Sequence, residues 1–185
     1  MSLVRWPLWW WCWRTTLITR GALLLARKQY KAAELLCRKG VRLSPSDPVC
    51  HAWLAQAVWK QGRLEEALQE YRVAIGLRRG ALSADRIDVI QILLEGKKYE
   101  EAITESQKLL DPNFHRISPF FRSVHELTAY RSLYEAYFAL GDYAQAKEAL
   151  VRLLPYYKKQ KSREGILQRL RLCEDYLRRA SDEPS

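Results

Sequence analysis

Three histidines, two adjacent-glutamate pairs and four cysteines are the side chains best suited to catalysis or metal ligation. His51, His115 and His125 lie far apart, and none has a histidine four residues away, the spacing that puts two imidazoles on one helix face as zinc ligands. Glu65-Glu66 and Glu100-Glu101 each fall just after a turn, where carboxylates favour the start of a helix through its dipole. They read as helix-start charges rather than acid/base pairs. Cys12, Cys37, Cys50 and Cys173 include no C-x-x-C and are spaced as reduced, mostly packed thiols. The chain also lacks a phosphate-cradling G-x-x-x-x-G-K-[ST], a G-x-G-x-x-G and a nucleophile-elbow serine. The expectation is a protein that is not an enzyme and uses neither metal nor cofactor.

What the residues do show is a repeat. An aromatic or leucine, two residues and an alanine recur as Tyr30-x-x-Ala33, Leu64-x-x-Ala67, Tyr99-x-x-Ala102 and Tyr143-x-x-Ala146, at steps of 34, 35 and 44 residues. Between these marks the apolar residues follow a 3.6-residue period, and each mark is preceded by a turn. The helices read in pairs: Thr15–Ala26 with Tyr30–Leu43, Val49–Gln61 with Leu64–Leu77, Asp85–Leu94 with Tyr99–Leu110, and Val124–Leu140 with Tyr143–Leu154. Asp47 is placed to cap a helix whose first turn holds Pro48. A last helix, Ser162–Ala180, carries Ile166, Leu167, Leu170, Cys173 and Leu177 as one apolar stripe. The predicted fold class is all-α, a stack of helical hairpins, and such a stack presents surfaces rather than a reactive centre.

Charge and aromatic content are concentrated at the ends. The formal charge is +10, yet residues 48–157 carry as many acids as bases. Residues 1–47 hold nine basic and two acidic side chains, and residues 158–185 eight and five. Five of the seven tryptophans, Trp6, Trp9, Trp10, Trp11 and Trp13, fall within the first thirteen residues. Arg5, Arg14 and Arg20 interrupt every window long enough to span a bilayer, whereas tryptophan beside arginine suits the headgroup layer. Residues 1–13 are therefore expected to contact a membrane surface or a membrane protein, or else to cap the open end of the stack. Unpaired thiols suit a cytoplasmic setting, here on the cytosolic face of a membrane.

These residues resemble the tetratricopeptide repeat family over about residues 14–157, in units near 14–47, 48–81, 83–116 and 127–160, with residues 158–185 as a capping helix and short polar tail. The second unit matches best, with Leu54, Ala55, Gly62, Leu64, Ala67, Tyr71 and Ala74 in consensus slots, and the fourth matches through Tyr130, Leu133, Tyr137, Gly141, Tyr143 and Ala146. The third has Lys97 where glycine is usual and Gly96 one position early, and the first has Gly40 where alanine is usual. The 44-residue step leaves an insertion around 111–121 bearing two prolines and three phenylalanines, expected to fold back on the core.

The resemblance implies a right-handed superhelical array of about four hairpins whose first helices line a concave groove. Carried across position by position, the partner-binding candidates are Gln56, Trp59, Gln91, Leu94, Arg131, Glu135 and Phe138. The lysines and asparagines that clamp acidic chaperone tails in one subclass are replaced by Ile18, Ala22, Trp53, Ala84 and Asp88, which favours a ligand with apolar anchors. The implied function is an adaptor that holds a partner polypeptide in the groove and helps assemble or tether a membrane-associated complex. A nucleic-acid-associated protein using the basic ends and a self-assembling structural protein are the alternatives. Nucleic acid is disfavoured because the groove lacks a regular polar pair on each unit; self-association remains open.

Overall fold

In a computed structural model of the chain, residues 16, 19–78, 83–111 and 122–182 are described. Their regular structure is all helical: α1 (residues 19–26), α2 (Tyr30–Leu43), α3 (Pro48–Trp59), α4 (Leu64–Leu77), α5 (Ser83–Glu95), α6 (Tyr99–Leu110), α7 (Arg122–Leu140), α8 (Tyr143–Leu153) and α9 (Gln160–Asp182), with a 3-10 turn at Leu154–Tyr156. The ten residues of the insertion from 112 to 121, and Trp6, Trp9, Trp10, Trp11, Trp13 and Cys12, lie outside the described residues. So do Thr15 and Ile18.

Four turns of one kind join the helices in pairs. Each places one residue in the left-handed region: Lys28 (φ 58°), Gly62 (84°), Lys97 (58°) and Gly141 (79°). That residue's N–H donates to the carbonyl three back, and the next N–H donates to the carbonyl five back. At Lys97 these bonds are 3.0 Å to Leu94 and 2.8 Å from Lys98 to Leu93; at Gly62 they are 2.8 Å to Trp59 and 3.3 Å from Arg63 to Val58. This is a Schellman ending, which satisfies carbonyls the helix would otherwise leave open. The third turn therefore uses Lys97 itself and not the earlier Gly96, so the register of the repeat is kept at the cost of a side chain in a region that favours glycine.

Two residues after each left-handed position the next helix begins, at Tyr30, Leu64, Tyr99 and Tyr143. Ala33, Ala67, Ala102 and Ala146 close the first intrahelical bond, to Gln29, Arg63, Lys98 and Asp142 respectively. All four alanines are fully buried, at 0% exposure. The recurring alanine is thus the point at which the second helix of a pair meets its surroundings most closely. Asp47 caps α3 as expected, its carboxylate accepting from Val49 N at 2.9 Å, and Asp142 caps α8 by accepting from Gln145 N at 3.0 Å. Gly40 also has a steric reason: a Cβ built there would lie 2.9 Å from Cys50 Sγ. A methyl would collide with the thiol.

The described helices divide into two compact units, one ending at Asp85 and the other beginning at Arg86. In the first, Leu54, Val58, Leu68, Tyr71 and Ala74 are sealed between α3 and α4, and α2 packs on α3. In the second, Leu133, Leu150, Leu153, Ile166 and Cys173 join α7, α8 and α9, while Ile90, Leu109 and Ala129 join α5, α6 and α7. Ile166 and Cys173 are buried, whereas Leu167 is 41% exposed and leaves the stripe that the sequence pattern assigned to it. Leu167 follows Ile166 by one residue, about 100° round the helix, and that step turns it away from the buried side. Cys37, Cys50 and Cys173 are free and buried. Burial, and then the neighbouring Cys50, push the Cys37 thiol up to about 12, so it stays protonated.

Lys97→Gly removes the side-chain penalty of a left-handed turn and is expected to stabilise the fold by about 0.5–1 kcal/mol in urea denaturation. Ala67→Trp or Ala146→Trp is expected to cost at least ~1–3 kcal/mol, because no space surrounds either methyl. Unchanged midpoints for both tryptophan variants would contradict the close helix contact.

Candidate functional site

The groove candidates sit on first helices of the pairs and divide between the two units. On α3, Val49, Ala52 and Gln56 follow one another at three- and four-residue steps and are all half-buried, opposite the buried Leu54 and Val58. Trp59, a turn further on, is only 8% exposed, with the Lys60 ammonium 3.7 Å from its ring centroid. On α5, Gln91 and Leu94 are half-buried, and Leu94 packs against the Ile90, Leu109 and Ala129 core that also holds α7. On α7, Arg131 is half-buried and Glu135 exposed one turn later. Gln91, Leu94, Arg131 and Glu135 thus belong to helices joined through one core, and Gln56 and Trp59 to the other unit.

Phe138 lies in an aromatic cluster built by three helices. Its ring centroid is 5.6 Å from Tyr134, 5.4 Å from Tyr143 and 6.0 Å from Tyr176, and Tyr143 and Tyr176 stack at 4.4 Å with an 8° interplanar angle. The Arg169 guanidinium sits 5.4 Å over the Tyr134 ring. Edge-to-face and stacked geometries of this kind add to the burial of the rings themselves. The cluster ties α9 to the α7–α8 pair and supports the surface around Glu135. Sequence periodicity places Phe138 on α7, but partners on α8 and α9 are visible only in three dimensions.

A second concavity lies on the other side of α7, between α6 and α8. This cleft of about 350 Å³ is lined by Leu110, Tyr130, Leu133 and Tyr137 together with the polar Gln145 and Arg152. Its walls mix apolar and polar groups, the composition that suits a side chain with an apolar body. The repeat pattern gives no sign of it, because its walls come from three helices.

Electrostatically, the first unit is organised around Glu34. Arg38 donates to it at 2.9 Å, Gln61 at 2.8 Å, and Arg63 also donates to it; Arg38 and Arg63 further pair with Glu66, the latter at 3.0 Å. The Arg63 guanidinium is the main cause, and Gln61 and Arg38 add to it, holding the Glu34 carboxyl at about 2 against the opposing effect of burial. Glu66 is thereby a bridge between helices as well as a helix-start charge. Nearby, the buried His51 sets Nδ1 2.7 Å from Glu70 and Nε2 2.9 Å from the Pro45 carbonyl, fixing α3 to α4 and to the preceding loop. Arg78 pairs with the buried Asp85 at 2.9 Å. In the second unit Arg86 bridges α5 to α6 through Glu105 at 2.8 Å. Tyr156 donates to Glu126, and burial followed by that carboxylate pushes its phenol up to about 12.

No group of three or more metal-ligating side chains assembles among the described residues, and no described helix is long and apolar enough to cross a membrane. A family model described as tetratricopeptide repeat matches residues 24–80. Among solved structures, one titled as the functional characterisation of PilF from Pseudomonas aeruginosa is 24% identical, covers 94% of this chain and 78% of its own, and superposes with a TM-score of 0.66. A MamA double mutant is 15% identical over 91% of this chain and 96% of its own, with a TM-score of 0.65. YrrB, titled a tetratricopeptide-repeat protein with an unusual peptide-binding site, is 14% identical over 86% and 84%, with a TM-score of 0.52. These likenesses show the fold. No curated protein matches the chain in sequence.

Because the folded-state value of Glu34 lies below its ordinary 4.5, its contribution to stability is complete above pH 4.5 and disappears as pH falls toward about 2. Glu34→Gln is expected to lower stability at pH 7 by about 1–3 kcal/mol and to flatten the loss between pH 4.5 and 2. Urea denaturation of both proteins at pH 7 and pH 3 measures this; equal losses for the two on acidification would contradict the network.

Proposed function

We propose that this tetratricopeptide-repeat protein is a non-enzymatic adaptor that holds a partner polypeptide along its first helices and tethers it to a membrane-associated complex. The observation that carries the reading is the mixed line on α5 and α7, in which the half-buried Gln91, Leu94 and Arg131 accompany the exposed, oppositely charged Glu135. Gln56 on α3 offers the equivalent amide in the other unit, beside the ring of Trp59. Such a surface suits an amphipathic helix or an extended segment, whose apolar anchors meet Leu94 and whose polar groups meet the amides and charges. Phe138 contributes from its aromatic cluster, as a rigid wall next to Glu135. The peptide-binding site named for YrrB supports the general mode of binding.

The tether is assigned to Trp6, Trp9, Trp10, Trp11 and Trp13 together with the basic excess of residues 1–47. At a cytosolic membrane face, insertion of apolar rings and attraction of arginine to anionic lipid add. Either the lipid itself or a membrane protein in it receives these rings.

Combining Gln91→Ala, Arg131→Ala and Glu135→Ala is expected to weaken capture of the partner by about tenfold or more while helicity by circular dichroism stays unchanged. Capture that survives all three points to the cleft between α6 and α8 instead. Deleting residues 1–13 is expected to leave a folded repeat domain and to move it from the membrane fraction to the soluble fraction. A truncated chain that unfolds would assign the tryptophans to the core.

A further inference from the structure

The first pair of helices has its charges sorted by side. Residues 19–47 hold seven basic and two acidic side chains. Both acids are engaged: Asp47 is buried as the cap of α3, and Glu34 is 14% exposed and held by Arg38, Gln61 and Arg63. Arg38 is occupied by Glu34 and Glu66. The other six cations, Arg20, Arg27, Lys28, Lys31, Lys39 and Arg42, are exposed, and none pairs with a carboxylate among the described residues. Every free charge on this pair is therefore positive.

On α2 the free cations form a stripe with an apolar centre. Lys31, Leu35, Lys39 and Arg42 follow at steps of four, four and three residues, on the face opposite the buried Ala33, Cys37 and Gly40. They span about 16 Å of helix. Leu35 is 72% exposed between the two lysines, and Leu43, at the end of the stripe, is 54% exposed. An exposed leucine surrounded by unpaired cations gains nothing from water, but it gains burial at a surface that is charged outside and apolar beneath.

We propose that the outer face of α2 docks on an anionic lipid surface, with Lys31, Lys39 and Arg42 on headgroup phosphates and Leu35 at the acyl boundary. The proposal deepens the peripheral-membrane part of the proposed function and assigns it to residues distinct from the tryptophans. Nucleic acid fits the stripe less well. A phosphate backbone would meet the cations but leave Leu35 unused, and the stripe has no aromatic ring or amide to stack on or read a base.

The full chain is tested by flotation with vesicles of phosphatidylcholine alone and of phosphatidylcholine mixed with phosphatidylglycerol. Five proteins are compared: the natural chain; Lys31→Gln with Lys39→Gln and Arg42→Gln; Leu35→Gln; Trp9→Ala with Trp10→Ala and Trp11→Ala; and Arg163→Gln with Arg171→Gln and Arg178→Gln on α9. Circular dichroism confirms that each is folded, and Leu35→Gln serves as the second variant of the stripe. The expected result is binding to anionic vesicles only, a loss of about 100-fold for the α2 triple variant, a smaller loss for Leu35→Gln, and little change for the α9 variant. Equal losses for the α2 and α9 variants would overturn the face and leave only general charge attraction. Full binding by the α2 variants together with loss in the tryptophan variant would overturn it while sparing the membrane reading of the N-terminus. No vesicle binding by the natural chain would overturn both. Should the α2 triple variant lose a duplex oligonucleotide but keep the vesicles, the stripe belongs to nucleic acid.

Discussion

How closely the second helix of each pair can approach its neighbours decides this architecture, and a single methyl group sets that distance. At Ala33, Ala67, Ala102 and Ala146 the side chain ends where the adjoining helix begins, and all four are sealed from solvent. The approach is reproducible because the turn before each alanine is the same object, a left-handed residue closing two hydrogen bonds back onto the preceding helix. A helix that ends at a defined carbonyl and is followed by the next, two residues after the left-handed position, leaves little freedom in the angle of the pair. Lys28 and Lys97 show that the geometry of the turn, and not the identity of glycine, is what the repeat preserves.

Around that frame the polar side chains divide into two populations. Those that join helices are engaged by more than one partner: Glu34 by two arginines and a glutamine, His51 by a carboxylate and a carbonyl, Glu105 by Arg86 and Lys108. Inter-helix pairs that are half-buried and multiply bonded contribute where isolated surface pairs contribute little. The second population, on α2 and at the exposed side of α9, carries charge without such ties. Stability and recognition are therefore written on different faces of the same helices, and substitutions in one population leave the other largely untouched.

The second unit solves the end of the array by aromatic packing. Tyr134, Phe138, Tyr143 and Tyr176 bring α9 against the last pair, and Ile166 and Cys173 complete the seal. A helix with a strongly charged outer face can close the stack because only a narrow apolar line has to be covered. That line is Ile166, Leu170, Cys173 and Leu177, without Leu167.

The all-helical class, the positions of the turns, the buried alanines, the Asp47 cap and the absence of nucleotide-binding and nucleophile motifs were legible in the residues alone, since they depend on local spacing and on what one helix turn can satisfy. The candidate line Gln91, Leu94, Arg131 and Glu135 could be placed on its helices for the same reason. Tertiary structure alone decided which side chains meet across helices. The Glu34 network joins residues 27 to 29 positions apart. His51 reaches Glu70 and Pro45, Gly40 is required by the Cys50 thiol, and Phe138 finds Tyr176 on a helix two elements away. Periodicity reports which side of a helix is buried, but it carries no record of the partner that buries it. Contacts between residues distant in sequence are set by how whole helices pack.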